Sequence, residues 1–181
     1  HLMKAQTLAE RSERRTKAHE EWREAVSEGD IERARTKAAQ SSRISNDIVG
    51  SSRILLTHMG IPVVQAPEEG EAQAAYMAAR GDVWAASSQD YDSLLFGAPR
   101  LVRNLNITGR RKMPGSKEYR DIHIEVIELD KVLEANGLKD REQLIDLCIL
   151  MGTDYNQGIR GIGPKKGLKL IKEHGTIGKA L

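Results

Sequence analysis

The stretch IPVVQAPEEGEAQAAYMAARGDVWAASSQDYD, residues 61–92, decides the predicted fold. Its apolar runs at residues 61–65 and 82–87 are typical of buried strands, and residues 68–80 between them have the pattern of a helix that ends at Gly81. Two strands joined through a helix form a βαβ unit with parallel strands and a right-handed crossover. Residues 100–105 and 122–127 predict further strands. The sequence therefore predicts an α/β fold, with a parallel or mixed sheet flanked by helices.

Acidic residues follow each of the first two predicted strands. Glu69 and Glu71 come after the first, and Asp90 and Asp92 after the second. Because the carboxyl ends of parallel strands meet at one edge of a sheet, we expect both pairs at the edge where open α/β folds bind their ligands. Asp154, which follows a predicted buried helix, is a fifth candidate.

A divalent-metal site is the functional interpretation of these carboxylates. Four carboxylates at one edge repel each other unless protons or cations neutralise them. Oxygen ligands without a Cys or His cluster favour Mg²⁺ or Mn²⁺ over Zn²⁺, and a pair of such ions is the standard device for phosphodiester hydrolysis. The alternative for each pair is a simple structural role, because acidic residues also cap helices and offset the helix dipole.

Residues 4–60 form a charged, alanine-rich stretch that predicts two or three helices turning at Gly29. Lys4, Arg11 and Arg15 lie on one face of the first helix, and Arg14 lies close by. This basic stripe either contacts DNA or is the solvated face of a helical hairpin. The pattern alone favours the solvated face.

Residues 161–167, GIGPKKG, match a helix-hairpin-helix pattern. Helices are predicted before it at residues 129–136 and 141–151, and after it at residues 168–174. The glycines let the backbone approach a phosphate at a helix N-terminus, Pro164 suits the first helical turn, and Lys165 and Lys166 add positive charge. Such hairpins bind duplex backbone without reading sequence. An ordinary glycine-rich turn is the alternative.

The composition of the 181 residues permits nucleic-acid binding without demanding it, since the net charge is +2 and the pI about 8.7. The single cysteine, Cys148, excludes a disulfide within the chain. All apolar runs are shorter than the roughly 18 residues that a membrane span needs. We therefore predict a soluble, intracellular protein of the cytoplasm or nucleoid, or of the nucleus in a eukaryote.

Together these motifs resemble the flap endonuclease family of structure-specific 5′-nucleases, most closely its archaeal type. The resemblance covers nearly the whole chain, and it rests on motifs that occur in family order and spacing: Glu69-Gly70-Glu71-Ala72, Asp90-Tyr91-Asp92, Gly152-Thr153-Asp154-Tyr155-Asn156 and Gly161-Ile162-Gly163-Pro164-Lys165-Lys166. It implies a helical arch with a connecting helix at residues 1–60, a PIN-like nuclease core at 61–128 and a helix-two-turn-helix DNA-binding region at 129–181.

The resemblance also implies roles for individual residues. Glu69 and Glu71 would hold one Mg²⁺, and Asp90, Asp92 and Asp154 would hold the other. Lys4 and Arg11 would be the catalytic cations that project from the arch toward the scissile phosphate. The backbone carbonyls of Ile159 and Ile162 would be K⁺ ligands. The implied DNA-binding residues are Arg14, Arg15, Arg160, Gly161, Gly163, Lys165 and Lys166.

The activity implied is that of a 5′-flap endonuclease and 5′–3′ exonuclease of DNA replication and repair. Its partners would be 5′-flap or junction DNA and, in full-length relatives, the sliding clamp. One alternative is a non-catalytic module of the same family that binds junction or duplex DNA. Another is an α/β module that binds a protein, which leaves the glycine hairpin unexplained.

The chain departs from the family pattern at its two ends and at Gly158. The family's N-terminal segment, with a terminal glycine, the first strands and two metal-binding aspartates, is not in this sequence, nor is the C-terminal clamp-binding tail. Gly158 stands where some relatives carry a serine that helps to bind K⁺. We therefore expect a central fragment with negligible cleavage on its own. An unpaired sheet edge near Val63 or Val83 would favour self-association or pairing with the missing segment.

Overall fold

The computed structural model describes residues 4–105, 109–112 and 118–181, and the chain divides into two compact units, residues 1–65 and 66–181. The first unit is helical: α1 spans Ala5–Glu28, α2 spans Ile31–Ser41 and α3 spans Asn46–His58. The predicted division into regions 1–60, 61–128 and 129–181 stays a prediction.

The predicted turn at Gly29 is confirmed. Gly29 adopts a left-handed conformation with φ 73°, which favours glycine, and it ends α1. The Asp30 side chain then accepts a hydrogen bond from the backbone N–H of Arg33 and so caps α2. The buried residues of this unit are Ala18 and Ala25, both on α1. Small side chains let α1 and α2 pack closely, but they bury little apolar area.

Helix α3 presents its apolar side chains to solvent. Ser45 caps its N-terminus by accepting a hydrogen bond from the backbone N–H of Ile48. None of its residues is buried, and the exposed apolar set includes Ile48, Val49, Ile54, Leu55 and Met59. Exposed apolar patches of this kind are common at interaction surfaces.

The second unit contains a three-stranded sheet and a two-stranded ribbon. Its elements are, in order, α4 (Gly70–Arg80), β1 (Ala86–Ser87), α5 (Asp92–Leu95), β2 (Arg100–Arg103), β3 (Arg110–Lys112), β4 (Tyr119–Asp121), β5 (Glu125–Glu128), α6 (Leu129–Asn136), α7 (Arg141–Met151), α8 (Pro164–His174) and α9 (Ile177–Ala180). The sheet order is β1-β2-β5. Strand β2 pairs parallel with β1, with Ala86 opposite Leu101, and antiparallel with β5, with Leu101 opposite Ile127. The sheet is therefore mixed, as predicted.

The βαβ prediction placed the first strand wrongly. Residues 61–65 form no strand, and the parallel pair is β1 and β2, joined through α5. Pro62 has no backbone N–H to donate to a sheet, and Ile61, Val63 and Val64 are exposed, so neither pairing nor burial holds this run as a strand. The other strands are present, but β1 and β2 are shorter than predicted, and β5 is shifted toward the C-terminus.

Strands β3 and β4 form a separate antiparallel ribbon between β2 and β5. The backbone N–H of Ile122 donates to Gly109 O (2.9 Å), and Asn104 Nδ2 donates to His123 O (3.0 Å), which closes the foot of the ribbon. A loop or ribbon was predicted for residues 106–120, of which 106–108 and 113–117 lie outside the described residues.

Two apolar clusters form the core of this unit. Ala75 on α4, Ala86 on β1 and Ala98 after α5 pack together beside the sheet. The larger cluster joins α7 and α8 through Leu147, Leu150 and Ile171, with Leu138 buried after α6. Helix α8 begins at Pro164, which occupies its first turn as predicted, so the helix starts four residues before the apolar stretch predicted at residues 168–174.

Candidate active site

The loop after β1 brings two of the predicted acidic motifs together. The Ser88 hydroxyl donates to Glu71 Oε1 (3.3 Å) and accepts from the backbone N–H of Asp90 (3.1 Å). Glu71 lies in the first turn of α4, and α4 packs against β1 through the alanine cluster. The first and second acidic motifs therefore meet at the carboxyl end of β1. Ser88 was not among the predicted site residues, because its contact with Glu71 joins elements that are 17 residues apart in the chain.

Helix capping does not account for these acids. Glu69 occupies the N-cap position of α4, yet its side chain makes no capping hydrogen bond. Tyr91 occupies the N-cap position of α5, so that Asp90 precedes the helix and Asp92 lies in its first turn. The N-cap of α5 makes no side-chain capping hydrogen bond either. Glu71 and Asp92 can still have a structural role, because each carries negative charge in the first turn of a helix and offsets the helix dipole.

Asp92 acts electrostatically on α7. Burial, with a smaller contribution from the Asp92 charge, raises the pKa of the Cys148 thiol on α7. The thiol therefore stays protonated at neutral pH. Cys148 is partly buried, and a protonated thiol is a poor nucleophile.

Asp154 lies in a tight turn that follows α7. Thr153 Oγ1 donates to Asn156 Oδ1 (2.7 Å) and accepts from the backbone N–H of Tyr155 (3.1 Å). Asn156 Nδ2 in turn donates to Ile149 O (2.9 Å), which ties the turn to the end of α7. The half-buried Asp154 is thus carried on a segment with defined geometry.

The five predicted ligands occupy three segments, of which the first two are joined by the Ser88 hydroxyl. In the described residues, no three Asp, Glu, His or Cys side chains lie close enough together to hold a metal ion. The chemistry of the donors nevertheless fits Mg²⁺ or Mn²⁺, since all of them are carboxylate oxygens.

The glycine hairpin connects α7 to α8. The backbone N–H of Ile159 donates to Leu150 O (2.8 Å), and that of Ile162 donates to Ile159 O (3.0 Å). Gly161 is exposed with φ 86°, and Gly163 is the N-cap residue of α8. Arg160, Lys165 and Lys166 are exposed around it. The Ile159 carbonyl keeps a second lone pair, so its bond to Ile162 does not exclude a cation there.

The predicted basic residues of the first unit lie along α1. Lys4 is the N-cap residue of the helix, while Arg11, Arg14 and Arg15 are exposed on it. Arg14 forms an i,i+4 ion pair with Glu10 at 4.0 Å. These residues belong to a different unit from the acidic loop.

No helix in the part of the chain that the structure describes is long and apolar enough to cross a membrane.

Solved structures similar to this chain have a 5′-nuclease fold. Together with the acidic motifs at the sheet edge and the helix-hairpin-helix element, this fold defines the class of the protein. The chain is similar to the solved structure of flap endonuclease-1 from Methanococcus jannaschii, with a TM-score of 0.62 and 46% identity over 84% of this chain and 43% of that one. It is also similar to the catalytic core of Rad2 in complex with a DNA substrate, with a TM-score of 0.61 and 30% identity over 86% of this chain and 44% of that one.

Residues 60–154 match the family model described as XPG I-region, and the chain belongs to this family. Among curated relatives, flap endonuclease 1 of Caldivirga maquilingensis is 59% identical over 168 residues, which are 92% of this chain and 48% of that protein. The resemblance to archaeal flap endonucleases and the predicted fold class are therefore confirmed. The chain spans about half the length of the curated relatives it matches.

Proposed function

We propose that this chain carries the core of a structure-specific 5′-flap endonuclease and 5′–3′ exonuclease of DNA replication and repair. The observation that carries the proposal is the contact of Glu71 with the Asp90 loop through Ser88, because it joins two acidic family motifs at the end of β1. The similarity of the chain to flap endonucleases supports the same proposal, hydrolysis of DNA.

The acidic residues are proposed to hold two divalent cations, Mg²⁺ or Mn²⁺. Glu69 and Glu71 would hold one, and Asp90, Asp92 and Asp154 the other. When bound, such ions supply an activated water at neutral pH and neutralise the charge that develops on the phosphate. The turn of Thr153 and Asn156 holds the backbone on both sides of Asp154, and the Ser88 hydroxyl orients Glu71.

Lys4 and Arg11 are proposed to bind the scissile phosphate as fixed positive charges. A cation placed where negative charge develops lowers the barrier because it needs no reorganisation during the reaction. The two residues lie two helical turns apart along α1, which is a spacing that lets both reach one strand of DNA.

The hairpin between α7 and α8 is proposed to bind duplex backbone. The first turn of α8 contains no acidic residue, and its exposed Lys165 and Lys166 are next to the N-terminal amides. Arg160, Gly161 and Gly163 on the same segment, with Arg14 and Arg15 on α1, complete the proposed DNA-binding set. The carbonyls of Ile159 and Ile162 are proposed to bind K⁺.

The proposed partners are 5′-flap or junction DNA and, for a full-length protein, the sliding clamp, at an intracellular site. Self-association, or pairing with an N-terminal family segment, is proposed to use the free edge of β1. Val63 and Val83 were predicted to lie near that edge, but neither is in a strand; in the described sheet, β1 at Ala86–Ser87 and β5 are the two edge strands.

A non-catalytic DNA-binding module is the second candidate function. The α7–α8 hairpin is complete within this chain, whereas the described acidic residues do not form a three-ligand group. This candidate predicts duplex binding without cleavage under any condition.

Cleavage of a labelled 5′-flap DNA in Mg²⁺ separates the two candidates. We expect negligible cutting by the chain alone, and cutting at the junction when the N-terminal part of a flap endonuclease relative is added. Asp90→Asn with Asp92→Asn should abolish that restored cutting. The matched change, Asp130→Asn with Glu134→Gln on the exposed side of α6, should not. If addition of the segment restores no cutting, the DNA-binding module is the better description.

DNA binding to the hairpin is tested by changing Lys165 and Lys166 to Ala. Binding should weaken equally for all duplex sequences, and the salt dependence should fall by about one unit of slope for each lost phosphate contact. A Cβ at Gly163 meets no atom of the chain within 4 Å, so a loss of binding in Gly163→Val would report on the approach of DNA itself. Lys4→Ala and Arg11→Ala should leave duplex binding unchanged. The opposite pattern would mean that the two basic elements have exchanged roles.

A further inference from the structure

Arg103, the last residue of β2, contacts the acidic loop at two points. Its Nε donates to Gln89 O (3.2 Å), and its Nη1 donates to the Tyr91 hydroxyl (2.6 Å). The guanidinium carbon lies 4.4 Å from the centre of the Tyr91 ring, which adds a cation–π contact. The Arg103 side chain is only 21% exposed, whereas its partners Gln89 and Tyr91 lie at the surface.

These contacts flank Asp90, which is itself exposed. Gln89 and Tyr91 are its two neighbours in the chain, and Arg103 holds both. On the other side, the Ser88 hydroxyl holds the Asp90 backbone N–H and reaches Glu71. The main chain at Asp90 is thus fixed from the β2 side by Arg103 and from the α4 side by Ser88.

The sheet keeps Arg103 itself in place. Glu125 on β5 is its register partner, and Arg103 Nη1 donates to Glu125 Oε2 (3.1 Å). The ion pair offsets the Arg103 charge and orients the guanidinium toward the loop. A planar guanidinium can serve the carbonyl, the hydroxyl and the carboxylate together, whereas an ammonium group cannot reproduce this fork.

We propose that Arg103 is a positioning residue for the acidic site: by binding Gln89 and Tyr91 it holds the loop in the conformation in which Asp90 and Asp92 bind a divalent cation. The proposal rests on the proposed function of these two aspartates. Removal of a group that orients a metal ligand commonly lowers metal affinity by about 10- to 100-fold.

Arg100 provides a matched control at the other end of β2. Its Nη1 donates to Trp84 O (3.0 Å), and its guanidinium carbon lies 5.0 Å from the centre of the Trp84 ring. The type of contact is the same, an arginine on an aromatic ring and a nearby backbone oxygen. The Arg100 contacts are made with Trp84, which precedes β1, and not with the acidic loop.

The test is Mn²⁺ affinity of the full 181-residue chain, measured by EPR of free Mn²⁺, with thermal unfolding in EDTA as the second measurement. Arg103→Ala should weaken Mn²⁺ binding by about 10-fold or more. Arg103→Lys should recover only part of the lost Mn²⁺ affinity. Tyr91→Phe should lower Mn²⁺ affinity by less than Arg103→Ala does. Arg100→Ala should bind Mn²⁺ as the wild type does. In EDTA, the melting temperatures of Arg103→Ala and Arg100→Ala should fall by similar amounts.

Two results would overturn the proposal, and the double Asp variant distinguishes them. If Asp90→Asn with Asp92→Asn loses Mn²⁺ but Arg103→Ala and Tyr91→Phe bind as the wild type does, the acidic site stands and Arg103 has no positioning role. If the wild type binds no Mn²⁺, or if the double Asp variant binds it unchanged, the metal site itself fails and the Arg103 proposal fails with it. Should Arg103→Ala not fold, Arg103→Lys and Tyr91→Phe carry the same test.

Discussion

The helices of residues 4–65 meet through alanines and charged side chains, whereas α7 and α8 in residues 66–181 meet through leucine and isoleucine. In the first unit, Lys37 pairs with Glu21, and Arg33 pairs with Glu24 and Glu28. In the second, Leu150 and Ile171 are fully buried. Surface ion pairs contribute little to stability, and buried apolar side chains contribute much more. The first unit should therefore open more easily.

The strongest test of this comparison is the removal of one large apolar side chain from each unit. Ile171→Ala, at a fully buried position, should lower the free energy of unfolding by about 2–5 kcal/mol. Ile54→Ala on α3, where the side chain is 61% exposed, should change it by less than about 0.5 kcal/mol.

Urea unfolding can follow each unit separately, because each contains one tryptophan, Trp22 or Trp84. Trp22→Phe leaves the reporter in the second unit, and Trp84→Phe leaves it in the first. Equal losses for Ile171→Ala and Ile54→Ala would break the comparison.

The hairpin turn provides a second test within the apolar unit. Gly158 has φ 66°, and a Cβ there would lie 2.4 Å from the backbone of Met151 and Gly152. Gly161 has φ 86° with no atom within 4 Å of a Cβ. Gly161→Ala should therefore cost only the left-handed strain of about 1–2 kcal/mol. Gly158→Ala should cost more, since the backbone must also move. If urea unfolding shows equal losses of stability for Gly158→Ala and Gly161→Ala, the backbone at Gly158 moves to admit the Cβ without an energetic cost.

Two helical glycines, one in each unit, should differ in how substitution by alanine changes the free energy of unfolding. A Cβ at Gly50 in α3 meets nothing within 4 Å, so Gly50→Ala should stabilise the chain by about 0.5–1 kcal/mol through helix propensity. At Gly167 in α8 a Cβ would lie 2.7 Å from Leu147 Cδ1. Gly167→Ala should gain less than Gly50→Ala or lose stability. Thermal unfolding by circular dichroism measures both. A larger gain at Gly167 would mean that the α7–α8 contact is loosely packed.

The smallest expected effect is the pH dependence of the Glu21–Lys37 pair. The hydrogen bond from Lys37 lowers the pKa of Glu21 below its ordinary value. Because the pKa is lower in the folded chain, the pair stabilises it above the unfolded pKa of about 4.3, and this contribution is lost as pH falls through the lower folded value. Carboxyl-carbon NMR titration should show the Glu21 pKa rise toward its ordinary value in Lys37→Gln.

Lys17→Gln is the control for this pair, because Lys17 lowers the pKa of Glu21 only through its charge. Its effect should be smaller than that of Lys37→Gln. An equal shift in the two variants would show that the net charge of the helices, rather than the pair, sets the titration.

Sequence predicted the helices well, because their boundaries are set by neighbouring residues. Helices α6 and α7 have the predicted bounds, with Gly137 in a left-handed conformation after one and Asp140 capping the other. The turn at Gly29 follows the same local rule. Strands depend on partners that are distant in sequence, and so the apolar run at residues 61–65 was wrongly predicted as a strand.

The candidate site was predictable as a set of residues but not as an arrangement. Acidic pairs after apolar runs indicated Glu71 and Asp90, which the fold brings together. The connecting groups were not evident, because the Ser88 hydroxyl and the Arg103 guanidinium act through contacts between elements. Arg103 lies 13 residues beyond Asp90 in the chain and reaches its neighbours Gln89 and Tyr91 only when β1 and β2 pair.

The ribbon of β3 and β4 has a consequence for chain length. Strands β2 and β5 pair with each other directly, and the chain leaves and returns at Asn104 and His123, whose Nδ2 and O atoms are 3.0 Å apart. The segment between these two residues is therefore an insertion between β2 and β5 whose two ends lie next to each other. It can be shortened to a tight turn, lengthened, or used to carry an inserted peptide tag, while β2 and β5 keep their register.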